Sequence, residues 1–190
     1  DISKLKASLR EAGANEEVVD LVAADIANGV YEGASTMEIY ARAYKMFRRY
    51  GRFDATLYRL KKALFAMGPA GYPFEHFIGE LFKRQGYDVQ VGVVVDGMAI
   101  THEMDVIATK DREQNLMECK FSSDQGNRIG VQVPLYVHAR VNDIVEKRQQ
   151  LAQYDDFVFV PWVVTNTRFS SDSQAYCHSK GIQLLGWDYP

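Results

Sequence analysis

Asp105, Glu118 and Lys120 are the residue types that hold a hard cation and steer a water beside it, and their spacing suits presentation by two neighbouring strands. Val89, Val91, Val93 and Val95 alternate as on a half-buried strand, and Asp96-Gly97 is a strong hairpin signal. A second strand is expected over residues 98–109, where Asp105 falls within His102-Glu103-Met104-Asp105-Val106. The polar stretch 110–114 then turns into a third strand, 116–121, carrying Glu118-Cys119-Lys120. Side chains alternate along a strand, so Glu118 and Lys120 share a face while Cys119 points to the other. The turn between these two strands brings Asp105 beside Glu118.

Adjacent carboxylates repel, and taking them out of water favours protonation unless a cation compensates. A hard divalent ion such as Mg²⁺ supplies that charge and prefers carboxylate oxygens plus water. Such an ion lowers the pKa of a bound water and stabilises charge on a phosphoryl oxygen. An ammonium alongside orients the water or offsets charge that grows in the transition state. The set suits phosphodiester hydrolysis. Spacing alone is unspecific, since an Asp followed by Glu-x-Lys arises by chance in many chains. The competing explanation is a half-exposed hairpin whose charges face solvent.

The flanking elements supply a frame. Pro73 fits the first turn of a helix whose apolar face is Phe74, Phe77, Ile78, Leu81 and Phe82, closed by Gly86. That helix also carries Glu75 and Glu80. After the third strand, a loop with Gly126 and Gly130 leads to a long helix over 135–153, opened by Pro134, with Val137, Val141, Ile144 and Leu151 as its apolar positions. Residues 157–164 form a continuous apolar run, as on a strand buried on both faces. Pro161 inside that run points to a bulge or an edge. A short helix over 172–180 and a strand over 182–187 follow. From Pro73 the order is helix, three strands, helix, strand, helix, strand.

With its motifs, this order resembles the restriction-endonuclease-like superfamily of PD-(D/E)xK nucleases, and within it the Mrr-type branch. Phe74-Glu75, Gly86-Tyr87-Asp88-Val89, Met104-Asp105-Val106 and Glu118-Cys119-Lys120 stand in the family's order across residues 71–190. The resemblance implies an α/β domain of order αβββαβαβ with a mixed central sheet. It implies a DNA endonuclease that depends on Mg²⁺ or Mn²⁺, in restriction or defence. Asp105 and Glu118 would then bind the metal with the Cys119 carbonyl assisting, and Lys120 would orient the water. Glu75 would add a ligand at the edge of the site, directly or through water. It is preferred over Glu80, on a different helical face, because it matches the family's "FE" position. Cutting both strands usually calls for two active sites and hence a homodimer. Mrr-type enzymes also carry Gln-x-x-x-Tyr in the long helix, and Gln150-x-x-x-Tyr154 fits that pattern late in the expected helix. His102, Arg140 and Asn166 are further candidates to line the cleft, with structural hydrogen bonds or solvated side chains as the alternative.

Residues 1–68 read as helices throughout. Ile2, Leu5 and Leu9 share one face, and Asn15 caps a helix with Glu16 and Glu17 in its first turn and Val18, Val22 and Ile26 inside. Ser35 and Glu38 form a capping box before Ile39, Ala43 and Met46. A fourth helix starts near Asp54, and Gly68-Pro69-Ala70-Gly71 separates a helical domain, 1–68, from the second domain, 71–190. The front segment resembles the later helices of an ATP-cone domain, on Lys4-Leu5-Lys6-Ala7-Ser8-Leu9-Arg10, Ser35-Thr36-Met37-Glu38-Ile39 and Ala55-Thr56-Leu57-Tyr58-Arg59. An ATP cone opens with a strand pair and a basic segment that this sequence lacks. It also has no phosphate-cradling glycine loop, which counts against ATP or dATP binding. Between Arg42 and Lys62 basic residues recur against the single acid Asp54, with Tyr44, Tyr50 and Tyr58 interleaved. Arg48, Arg49 and Arg52, with Arg140, are candidate DNA phosphate contacts. A nucleotide site or a solvated helix face are the alternatives for that run.

Composition bounds the rest. Of 190 residues 47% are hydrophobic and 25% charged, enough apolar material for a core without staples. A net charge of −3 argues against a general electrostatic binder of nucleic acid, though not against a local basic groove. Cys119 and Cys177 have no metal-site spacing and read as reduced, buried thiols of a cytoplasmic protein. The apolar run 157–164 is far too short to cross a bilayer and no signal peptide opens the chain, so no membrane partner is expected. Two other readings stay open: a nuclease fold that binds nucleic acid without cutting, and a nucleotide-responsive regulatory protein.

Overall fold

Apolar residues three or four apart build helices first, and alternating ones build strands later, in a computed structural model that divides into two compact units, Asp1–Leu64 and Phe65–Pro190. It describes residues 2–11, 14–29, 31, 34–35, 38–39, 41–43, 45–46, 52–68 and 70–190, and of 52–58 the backbone only.

In the first unit, α1 spans Ile2–Glu11 and α2 Glu16–Gly29. Asn15 caps α2, its Oδ1 accepting from the Val18 N–H at 2.9 Å. The Ser35 capping box is formed: Glu38 N–H reaches Ser35 Oγ at 3.3 Å, and Ser35 N–H reaches the Glu38 carboxylate at 2.8 Å. The described residues between 38 and 46 are helical. Leu9, Val18, Val19, Val22, Ile26 and Ala43 pack into one core, flanked by Leu5, Ile39 and Met46. Helix α3, Arg52–Phe65, runs to the boundary between the units.

The second unit has the expected αβββαβαβ order around a mixed sheet. Helix α4 is Tyr72–Arg84, followed by β1 (Asp88–Asp96), β2 (Thr101–Lys110) and β3 (Glu113–Lys120). Then come β4 (Arg128–Ile129), α5 (Gln132–Arg148), β5 (Val158–Thr165), β6 (Arg168–Phe169), α6 (Ser171–Lys180) and β7 (Gln183–Leu185). The main sheet has the order β1-β2-β3-β5-β7, antiparallel from β1 to β3 and parallel from β3 to β7. The short parallel pair β4–β6 was not expected from sequence; two residues are too few to show alternation. Helix α4 sits tightly on β1. A Cβ at Gly79 would meet Val91 at 2.8 Å and Val89 at 3.3 Å, so only glycine permits that approach. Helix α5 buries Val137, Val141 and Ile144 in a core with Met104, Leu116 and Val163.

Two expectations are corrected. The β1–β2 turn is a longer loop, residues 97–100, closed by Gly97 N–H to Ile100 O at 2.8 Å. Asp143 braces it, accepting from Ala99 N–H at 2.8 Å and bonding His102 Nε2 at 2.7 Å, which makes His102 structural. The helix expected over 135–153 begins at Gln132 and ends at Arg148. Buried Arg148 bonds Gln114 and lies under the rings of Tyr154 and Phe159, so the chain must reverse to bring Tyr154 back. Leu151 is extended and 39% exposed rather than apolar core, and Gln150 and Tyr154 share no helical face. Of the two expectations for Pro161, a bulge or an edge, the edge is met. This residue lies in regular register opposite Leu116, and β7 pairs only from Trp162 onward, so at Pro161 the strand has a neighbour on one side alone.

Among the described residues no helix is long and apolar enough to cross a membrane, and Cys119 and Cys177 are free, buried thiols. The altered end of α5 is open to test by urea unfolding. Ile144→Ala should cost about 2–5 kcal/mol through the cavity it leaves, whereas Leu151→Ala should stay within roughly 0.5 kcal/mol of wild type.

Candidate active site

Strands β2 and β3 pair from Lys110 opposite Glu113 as far as Val106 opposite Met117, and there their ladder stops. Past that rung β2 stays bonded to β1 as far as Thr101, and β3 stays bonded to β5 as far as Lys120 opposite Thr165. The sheet therefore forks, and backbone groups at the mouth need other partners. Asp105 supplies one, its Oδ2 accepting the Cys119 N–H at 2.7 Å. On an extended strand a residue's N–H and C=O face the same neighbour, so the Cys119 carbonyl also faces the fork.

Glu118 stands one residue along, 3% exposed. Its carboxylate takes an ion pair from Lys120 on one oxygen and from Arg140 on the other. The expected alternation is met, because Glu118 and Lys120 touch. Burial, then the charges of Asp105 and Glu75, push the Cys119 thiol well above its ordinary range, so it stays protonated. Its place in any ligand set is through the carbonyl.

Burial first, and then the neighbouring Glu118 charge, push the Asp105 carboxyl up to about 6, against the opposing Cys119 N–H bond. Glu75, in the first turn of α4, is also raised, by burial and then by Glu103 and Glu118. Glu80 pairs instead with Lys83 at 3.6 Å on the exposed side, leaving Glu75 as the helix carboxylate that feels the site. Burial works against the Lys120 ammonium, yet its bond to Glu118 and the charges of Glu118 and Asp105 outweigh that and raise it.

The carboxylates Glu75, Glu103, Asp105 and Glu118 thus outnumber the cations Lys120 and Arg140 around the fork. Among the described residues no three His, Cys, Asp or Glu side chains form a ready cage for an ion. Glu118 is turned to the protein's own cations instead. The donor chemistry, two acid groups and a carbonyl at one fork with that charge excess, fits a hard divalent ion once Glu118 turns toward Asp105.

Sequence reasoning missed Glu103 and Tyr136, and named Arg140 as a cleft residue without its partner Glu118. The Arg140 side chain is 11% exposed and held on Glu118. It donates to the Glu103 carbonyl at 3.0 Å and the Tyr136 hydroxyl at 2.7 Å, and lies over the Tyr136 ring at 4.4 Å. The signal for Glu103 was its alternation with Asp105. For Tyr136 it was Gln132-x-x-x-Tyr136, which matches the pattern sought at 150–154, in the turn that opens α5. Placing the helix start after Pro134 hid it. Asn166 holds the chain beyond β3, bonding the Ser122 N–H at 2.8 Å and carbonyl at 2.7 Å, while Thr165 Oγ1 donates to the Lys120 carbonyl at 2.7 Å. Arg48 and Arg49 lie outside the described residues, as does the Arg52 side chain, while Arg42 pairs with Asp25 at 2.6 Å. An apolar groove of about 550 Å³, lined by Phe82, Trp162, Leu184 and Tyr189 among others, shares no residue with the fork.

The restriction endonuclease family model, that of the Mrr catalytic domain, matches residues 69–188. An uncharacterised protein of Archaeoglobus fulgidus is 32% identical over 113 residues, 60% of this chain and 59% of that protein. A crystal structure of a protein of unknown function superposes with a TM-score of 0.56 at 31% identity, over 64% of this chain and 60% of the other. The MspJI restriction endonuclease with a 27-mer oligonucleotide gives 0.43 at 16% identity, over 83% of this chain and 33% of that one, too loose to build on. The chain spans less than two thirds of the length of the two nearer-matching proteins.

The shift at Asp105 sets a pH signature for the metal-free protein. An acid whose pKa rises from 3.8 to about 6 on folding binds more protons folded than unfolded between those values, so its ionisation lowers stability as pH climbs through them. In EDTA, Asp105→Asn should be more stable than wild type at pH 8 by on the order of 1 kcal/mol after solvent screening. The difference should vanish near pH 4; a variant less stable at pH 8 than at pH 4, relative to wild type, contradicts this assignment.

Proposed function

The chain belongs to the restriction endonuclease family, and on that premise we propose that it is a divalent-metal-dependent endonuclease that hydrolyses DNA phosphodiester bonds, in restriction or defence. The observation that carries the reading is half-buried Asp105 beside buried Glu118 at the fork, the first with its carboxyl raised to about 6 by burial and by the second.

Mg²⁺ or Mn²⁺ would be held by Asp105, Glu118 and the Cys119 carbonyl, with Glu75 at the edge, directly or through water. When bound it supplies Lewis-acid stabilisation of the phosphoryl oxygen and a more acidic water. In the metal-free protein the bond to Glu118 holds the Lys120 ammonium above its ordinary pKa. Lys120 acts as a donor, orienting the water and offsetting charge on the phosphoryl group. Thr165 fixes its backbone, and turning Glu118 toward Asp105 frees the ammonium for substrate. Phosphate contacts from Arg48, Arg49 and Arg52 belong to the same proposal, as does a homodimer with one site for each DNA strand. For the first unit the proposal is a likeness of its helices to those of an ATP cone.

Binding without cleavage is the second reading, and the pairing of Glu118 with two cations favours it. Incubation with plasmid DNA separates the two. Wild type should nick it with Mg²⁺ or Mn²⁺ and not in EDTA, and Lys120→Ala and Glu118→Gln should each slow nicking about a hundredfold or more. Equal activity in Lys120→Ala removes the proposed mechanism, and binding without nicking in any metal establishes the second reading.

A further inference from the structure

Arg140 belongs to no part of the mechanism above, yet it holds one oxygen of the most buried carboxylate in the site. Its bonding is that of a contact made to be exchanged. A guanidinium locked permanently to a carboxylate usually donates through two parallel N–H groups. Here only Nη1 reaches Glu118, and it is shared with the Glu103 carbonyl. Nε is buried and, among the described residues, has no hydrogen-bond partner, an arrangement that stable cores avoid. Tyr136, one turn earlier on α5 and 56% exposed, supplies a second set of partners through its hydroxyl and ring face. Arg140 therefore keeps a bond and a ring contact if it leaves Glu118.

We propose that Arg140 is a placeholder cation, which neutralises Glu118 while no divalent ion is bound and is displaced from it, with Tyr136 as its alternative anchor, when the ion arrives. Two features make the exchange necessary. Glu118 is too buried to stand uncompensated, and its two oxygens are already taken by Lys120 and Arg140. An ion drawn to the fork by the excess negative charge must then compete for one of them. Its apparent affinity is reduced by the fraction of molecules in which Arg140 holds the carboxylate. Tyr136 is thereby a positioning residue that acts through Arg140.

The inference rests on the metal reading, and its test separates the two. Mg²⁺ is titrated into the full chain by calorimetry, while NMR follows the arginine Nε–H signals, with Arg140→Gln assigning that of Arg140. Wild type should bind Mg²⁺, Asp105→Asn should lose most of that binding, and the Arg140 Nε–H should shift and lose its protection from exchange as the ion binds. Arg140→Gln should bind Mg²⁺ about tenfold more tightly. Tyr136→Phe, which removes the hydroxyl that holds Arg140 once it is displaced and leaves the carboxylates untouched, should bind two- to threefold more weakly and serves if Arg140→Gln does not fold. Mg²⁺ binding that leaves the Arg140 signal unmoved overturns the placeholder, as does unchanged or tighter binding in Tyr136→Phe. Equal binding by wild type and Asp105→Asn overturns the metal reading itself.

Discussion

The hydrogen bond from the Cys119 N–H to Asp105 is the contact on which the site depends. It forms because β2 and β3 part company after Val106 and Met117 while each keeps its other neighbour. A buried N–H left unpaired at the parting would cost about 1–3 kcal/mol. A carboxylate can meet that demand from the facing strand and still carry a charge into the opening. Backbone need and chemical function thus select the same residue at one position. β1 and β5 act as clamps, since without them the two strands would either zip together or fray.

Electrostatically the fork is half compensated. Glu118 has its cations, whereas Asp105 has one backbone donor and a repelling neighbour, which is why its pKa rises while that of Lys120 also rises. An acid pushed toward protonation and an amine pushed toward charge describe a site with negative charge to spare. That is a poor arrangement for stability and a useful one for drawing a cation into a buried cleft. Local strain of this kind at an otherwise well-packed sheet is what sites exchange for function.

Much of this was legible in the sequence because two periods do most of the signalling. The alternating valines of β1, the alternation of Glu118 and Lys120, and the caps at Asn15 and Ser35 all act over a few residues and survive into the fold. What stayed hidden depends on contacts far apart in the chain. The end of α5 is set by Arg148 beneath Tyr154 and Phe159, and nothing in residues 135–153 announces that reversal. Pro161 signalled a bulge or an edge, but which of the two cannot be foreseen, since it is the reach of β7 along β5 that leaves it at an edge. Arg140 was named as a cleft residue, but its partner was not, because only the packing of α5 beside the fork brings it to Glu118. Tyr136, by contrast, was visible at Gln132-x-x-x-Tyr136 and was obscured by starting the helix after Pro134.

Crystals soaked in Mn²⁺ and examined by anomalous diffraction test the central claim most directly, since the signal locates the ion without reference to activity. The expected result is a single strong peak at the fork, about 2.0–2.2 Å from oxygens of both Asp105 and Glu118, an ordinary bond length for a small octahedral divalent ion. A peak elsewhere, or none while Glu118 remains paired with Lys120 and Arg140, would contradict it.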